Sequence, residues 1–168
     1  CPIEDLSENG WRAVVDIVLD GTFRVSKKCF PLLKKNGGSI VNIIANYAWN
    51  AAPYVGHSGA AKAGVLNLTR TLALEWAKYD IRVNAMCPGV VLTEGVRDNL
   101  LGDEAIVNRL ENSIPMGGIA SVEQMAQQVL YLCSPAAEVV TGEVLVADGG
   151  QSLVGNMFYE LGKQIYKE

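Results

Sequence analysis

Apolar residues recur at three- and four-residue spacing in three stretches of the chain and crowd into short unbroken runs in three others. The first periodic stretch passes through Trp11, Val14, Val15, Val18, Val25 and Cys29 to Leu32 and Leu33, the spacing of one helix face. Ser7 stands before it as a cap, and Asn36-Gly37-Gly38 stops it. Gly21 interrupts its middle at a cost of about 1 kcal/mol against alanine, so close packing against a neighbour is expected there. A second helix is predicted over 57–79, with Val65, Leu68, Leu72 and Trp76 as its stripe and Leu66 and Leu74 widening it. Ser121-Val122-Glu123-Gln124 opens a third, over 122–133.

The unbroken runs are 39–45 (SIVNIIA), 81–87 (IRVNAMC) and 139–147. Being apolar on nearly every residue, they read as short strands covered on both faces. A loop with two aromatics occupies 46–56, where Pro53 argues against helix, and 90–118 is a long excursion of mixed character. Helices alternating with strands, each crossover long enough for a helix, require parallel pairing and an α/β fold. Three strands make a poor sheet by themselves, and the first helix has no strand to cross over from. The fold is therefore expected to be incomplete. A start at Cys1-Pro2 rather than methionine fits a missing amino-terminal piece.

Composition removes several function classes. The net charge of -4, with both signs scattered, argues against nucleic acid as a main partner. Cys1, Cys29, Cys87 and Cys133 lie far apart without a C-x-x-C, and there is one histidine. That pattern points to a reducing compartment with neither a disulfide framework nor a metal site. No apolar run reaches the length a bilayer requires.

Candidate chemistry gathers around the second helix. Ser58 and Lys62 are one turn apart at its start, so a hydroxyl and an ammonium share a face near unpaired helix amides. Ligands of parallel sheets bind beyond the carboxyl ends of the strands, where loops 46–56 and 88–93 both emerge. Tyr47, Ser58, Lys62, Gly89 and Thr93 are thus expected to converge on one crevice. A phenol there can protonate a developing oxyanion, and a nearby ammonium draws its pKa toward working pH.

Three segments carry a family resemblance: GGSIVNI, GAAKAGVLNLTRTLALEWAKYDIRVNAMCPGVVLTEG and VVTGEVLVADGG. Together they resemble the carboxyl-terminal two-thirds of a short-chain dehydrogenase/reductase over residues 7–150. The resemblance implies a three-layer Rossmann-like parallel sheet, present here as one partial domain over 1–168, with 94–118 as a substrate-binding excursion within it. The usual catalytic tyrosine position, four residues before the lysine, is held by Ser58, and the usual serine position by Ala45. Tyr47 stands fifteen residues before Lys62, the arrangement of the 2,4-dienoyl-CoA reductases.

That branch implies NADP(H), or alternatively NAD(H), as cofactor and an acyl-CoA as substrate, with reduction of a conjugated dienoyl thioester to an enoyl-CoA. Tyr47 is then the proton donor, Lys62 the ribose-binding and pKa-tuning residue, and Ser58 a positioning hydroxyl. Asp20, where an asparagine is expected, stands ready to orient water or the phenol. Pro88, Gly89, Val91 and Thr93 meet the nicotinamide, and Arg97 and Arg109 are candidate CoA phosphate contacts. The glycine-rich first loop and the Asn-Asn-Ala-Gly segment of the family are absent, so the chain by itself is expected to bind NADPH poorly and catalyse little.

The resemblance further implies a homo-oligomer, a tetramer in the family, with a missing amino-terminal fragment as another partner. It leaves the compartment cytoplasmic, mitochondrial or peroxisomal. Two alternatives remain open: another short-chain reductase acting on a carbonyl or activated alkene, and a non-catalytic oligomerising subunit.

Overall fold

The computed structural model describes residues 1–91, 93–95 and 104–154. A short 3₁₀ turn at Ile3–Asp5 leads to α1 (Glu8–Val15), a π-helical segment (Asp16–Asp20) and α2 (Gly21–Asn36). There follow β1 (Gly38–Ile43), a 3₁₀ turn (Asn46–Ala48), α3 (Gly56–Trp76) and β2 (Ile81–Pro88). The chain continues through α4 (Glu104–Ser113), α5 (Val122–Cys133) and β3 (Val144–Ala147). The three strands form a parallel sheet in the order β1-β2-β3, flanked by helices, as the alternation of elements requires. Contacts cluster into two compact units: Cys1–Cys87 with Gln127–Leu145, and Pro88–Ala126 with the chain from Val146 onward.

Ser7 caps α1 by accepting the Gly10 amide at 3.1 Å. The long first helix is not uniform, however. Between α1 and α2 it widens to π geometry, a register shift that lets Val18 and Leu19 both pack on the core. Gly21 sits at φ -58 just beyond, and a Cβ built on it meets only the Asp16 carbonyl at 3.6 Å, an ordinary contact. The tight packing expected there is not found among the described residues.

In the first unit two buried groups line the sheet. Ile44, Ala48, Val65, Leu66, Ala85 and Cys87 form one; Leu72, Ala73, Ile81 and Val83 form the other, with Phe30, Trp76 and Tyr79 stacked beside it. β2 is covered along nearly its whole length, but β1 is only half-buried and Ile43 remains 44% exposed. The double covering expected of β1 is therefore partial in this chain, where among the described residues it pairs with β2.

Buried polar side chains set the register. Asn42 of β1 donates to Thr69 of α3 at 2.9 Å, and the Thr69 hydroxyl in turn donates to the Val65 carbonyl at 2.8 Å. Asn84, fully buried in β2, donates to the Val140 carbonyl at 2.8 Å and accepts the Glu143 amide at 3.1 Å. Residues 139–143 are consequently tied to β2 by side chains, and regular strand begins only at Val144. Arg82 closes the carboxyl end of α5, donating to the carbonyls of Leu132 (2.7 Å) and Ser134 (3.3 Å).

In the second unit, Ser121 and Gln124 form a reciprocal cap: Ser121 Oγ accepts the Gln124 amide at 3.2 Å and Gln124 Oε1 accepts the Ser121 amide at 2.8 Å. The turn after β3 carries Gly149 and Gly150 at φ 63 and 86, left-handed conformations that favour glycine. Among the described residues no helix is long and apolar enough to cross a membrane.

Two substitutions test this description. Arg82→Met should lower unfolding free energy by about 1–3 kcal/mol in urea titration, since it strips a charged donor from two or more carbonyls. Gly21→Ala should raise it by roughly 0.5–1 kcal/mol, because the site is helical and spacious.

Candidate active site

The first unit presents Tyr47, Ser58 and Lys62 on two adjoining elements. β1 ends at Ile43, and the chain turns at once through Asn46–Ala48, with the Ala48 amide bonded to the Ala45 carbonyl at 2.9 Å and Ala48 buried beneath. That turn fixes Tyr47, half-buried, near the first turn of α3. Gly59 makes the approach feasible, since a Cβ there would lie 3.4 Å from the Tyr47 carbonyl oxygen. The Ser58 hydroxyl donates to the Tyr47 hydroxyl oxygen at 3.4 Å, a long bond. One turn further on, Lys62 Nζ donates to the Ile43 carbonyl at 2.6 Å.

Tyr47 is therefore engaged by Ser58, and Lys62 by the end of β1. Burial holds the Lys62 ammonium below the ordinary lysine value, and the Cys87 thiol group beside it acts in the opposite direction. Cys87 is itself fully buried at the end of β2. Neither it nor the Ile43 carbonyl was foreseen as part of the lysine's surroundings. A backbone acceptor has no letter in a sequence, and a lone cysteine in an apolar strand reads as core.

Asp20 lies at the end of the π-helical segment, where its carboxylate accepts from Arg24 Nη2 at 3.2 Å. Both side chains are largely exposed, so the pair adds little stability. No hydrogen bond joins Asp20 to Tyr47, Ser58 or Lys62. His57, next to Ser58, is part-buried with Nδ1 inaccessible and without a partner among the described residues. An open groove of about 390 Å³ is lined by Ile3, Leu6, Glu8, Trp11 and Arg12, none of them candidate residues.

The second unit carries the remaining candidates. Pro88 ends β2, and the Gly89 amide donates to the Ala147 carbonyl at 3.0 Å. A side chain at Gly89 would fall 2.9 Å from the Asp148 Cα, so only glycine fits. Val91 forms an isolated parallel bridge with Ala120, and the Thr93 amide returns to the Val91 carbonyl at 3.0 Å. Thr93 is exposed, as is Arg109 on α4; Arg97, with the rest of 96–103, lies outside the described residues. Among the described residues no cluster of histidine, cysteine, aspartate and glutamate is suited to a metal.

A lysine partly withdrawn from water, one turn from a serine hydroxyl bonded to a phenol, is a set of groups able to bind a sugar hydroxyl and to pass a proton. The family model described as enoyl-(acyl carrier protein) reductase matches residues 1–152. The chain belongs to that family, within the short-chain dehydrogenases/reductases. It is 45% identical over 156 residues to a probable 2,4-dienoyl-CoA reductase of Bacillus subtilis (strain 168), covering 91% of this chain and 61% of that protein. It is 38% identical over 169 residues to the peroxisomal 2,4-dienoyl-CoA reductase SPS19 of Saccharomyces cerevisiae, covering 100% of this chain and 56% of the relative.

Among solved structures, a short chain dehydrogenase from Bacillus anthracis superposes with a TM-score of 0.80 at 44% identity, covering 93% of this chain and 61% of that one. A putative 2-deoxy-D-gluconate 3-dehydrogenase from Agrobacterium tumefaciens, with bound NADP, superposes with 0.85 at 33% identity, covering 92% and 63%. The chain thus spans 61% or less of the length of these two reductases.

The perturbed lysine gives a direct test. With Lys62 reductively ¹³C-methylated, its NMR titration midpoint should fall below that of an exposed lysine, and Cys87→Ala should move it lower still. The sign is fixed by cause: burial disfavours the ammonium, and Cys87 supports it. The resulting cost to folding is present while Lys62 is protonated and vanishes as pH rises past the unfolded lysine value. Lys62→Met should accordingly leave the thermal midpoint at neutral pH equal to wild type or above it.

Proposed function

We propose that this chain is the carboxyl-terminal part of an NADPH-dependent reductase that converts conjugated dienoyl-CoA thioesters to enoyl-CoA. The observation that carries the reading is the Ser58–Tyr47 hydrogen bond, one turn from Lys62. It pairs the relocated tyrosine with the serine at the usual tyrosine position, in a chain similar along most of its length to 2,4-dienoyl-CoA reductases. NADH is the alternative cofactor. The half-buried Lys62 fits the ribose portion of such a cofactor. A glycine-rich phosphate loop is missing from the sequence, so the adenosine end calls for residues beyond this chain.

A reduced nicotinamide, when bound, would supply hydride to the far carbon of the diene. Electron density then moves to the thioester oxygen and the conjugated chain, and the protein must hold that charge before a proton arrives. Tyr47 donates a hydrogen bond to the developing dienolate and then a proton. Ser58, bonded to the phenol oxygen, steadies the phenolate left behind. Lys62, held here by the Ile43 carbonyl, would bind the ribose hydroxyls and add positive potential to the site. Pro88, Gly89, Val91 and Thr93 would hold the nicotinamide, as the family resemblance implies. Asp20, paired with Arg24, contributes to the field rather than to the proton transfer.

On this reading 1–168 forms one partial domain, the excursion 94–118, of which 96–103 lie outside the described residues, would line the path of the acyl chain, and the exposed Arg109 would be a CoA phosphate contact. Assembly into a homo-oligomer belongs to the same proposal.

The test is consumption of NADPH with trans-2,trans-4-hexadienoyl-CoA by the full-length protein. Tyr47→Phe should reduce kcat by about 10²–10⁴-fold, the usual share of a general acid. Ser58→Ala and Asp20→Ala should cost less. Lys62→Ala should raise KM for the nucleotide and lower kcat together. Turnover of Tyr47→Phe at the wild-type rate, or reduction of simple ketones in preference to the dienoyl thioester, would overturn the assignment.

A further inference from the structure

We propose that Asp148 is a positioning residue, whose carboxylate locks the single turn against which both the Gly89 loop and the closing end of the substrate excursion are packed. The inference rests on the reading above only in what the loop then does, which is to present Gly89 and Val91 to the cofactor. The clamp itself is a matter of geometry within the second unit.

Both carboxylate oxygens are used. Oδ1 accepts the Gly150 amide at 2.9 Å and Oδ2 the Ser152 amide at 2.8 Å. Between them, two successive left-handed glycines form a shape that local backbone preference does not favour and that the carboxylate holds in place. Burial pushes the Asp148 carboxyl up, but hydrogen bonds from Ser152 and Gly150 outweigh it and keep the group below its ordinary value. The carboxylate is therefore ionised, and acts as an acceptor only, across the neutral range.

Two segments lean on this turn. On one side, Gly89 approaches so closely that a Cβ would meet the Asp148 Cα at 2.9 Å and Cβ at 3.0 Å, while the Gly89 amide bonds the Ala147 carbonyl. On the other, Ile114 lies 2.6 Å from where a Gly149 side chain would begin, Pro115 lies against Gly150, and the Met116 amide donates to the Gly149 carbonyl at 3.1 Å. The chain leaves for the excursion beside Asp148 and returns beside Gly149. One carboxylate therefore governs both the entrance and the exit of the excursion.

Asp148→Asn in the full-length protein keeps the shape but turns an NH₂ toward one of the two amides. Amide hydrogen exchange at Gly89 and Met116 should then speed up about tenfold, the weight of one lost charged hydrogen bond, while Ala85, bonded to Glu143, exchanges as before. KM for NADPH should rise by a similar factor of about ten while kcat and its pH profile change little. Asp148→Ser keeps one acceptor and should give smaller shifts in the same direction, so a poorly folding Asn variant leaves the question answerable. Unchanged exchange at Gly89 and Met116, or a drop in thermal midpoint with KM for NADPH unaltered, overturns the proposal. If wild-type protein takes up no nucleotide, the reductase reading fails, and the exchange rates alone decide the clamp.

Discussion

A buried amide, Asn42, donating to a buried hydroxyl, Thr69, sets the register between β1 and α3, and the candidate chemistry is built on that register. The Asn42 amide cannot be left unpaired out of water without a cost of roughly 1–3 kcal/mol, so slippage of the helix along the strand is penalised in both directions. With Thr69 opposite Asn42, Lys62, seven residues earlier on α3, comes opposite the next residue of β1 and finds the Ile43 carbonyl. One turn before that, Ser58 reaches the Tyr47 hydroxyl. The groups proposed to react sit a fixed number of residues from a hydrogen bond that takes no part in the proposed chemistry.

The second unit solves a similar problem by different means. There the main constraint is steric, since Gly89, Gly149 and Ile114 leave no room for a side chain at the two glycines. The backbone must adopt left-handed geometry at the turn, and a carboxylate stabilises it by accepting two amides. Polar satisfaction and close approach thus divide the work: the former aligns the helix proposed to carry the chemistry, the latter the loop proposed to face the nucleotide.

Much of this was readable in the letters. α3 announced itself through Val65, Leu68, Leu72 and Trp76, and the spacing of Tyr47, Ser58 and Lys62 pointed to one end of it. Ser7 and the Ser121/Gln124 pair behaved as caps because capping chemistry is local. The π-helical segment was missed, though Ile17-Val18-Leu19 is too dense an apolar run for a stripe of 3.6 period and hinted at an added residue. Strand β3 began five residues later than its apolar run, because Asn84 in another strand claims the backbone of Val140 and Glu143. The lysine's bond to a main-chain oxygen and the glycine–isoleucine approach at Gly149 depend on residues distant in sequence, where pattern offers no guide.

The last residue of the first strand has a practical consequence. β1 runs parallel to β2 over six residue pairs, and Lys62 donates to the carbonyl of the final one, Ile43. The cation proposed to meet a sugar hydroxyl thus also closes the end of a strand. Neutralising it would strand a main-chain acceptor as well as remove a proposed partner of the nucleotide, so two separate losses would arrive with one substitution.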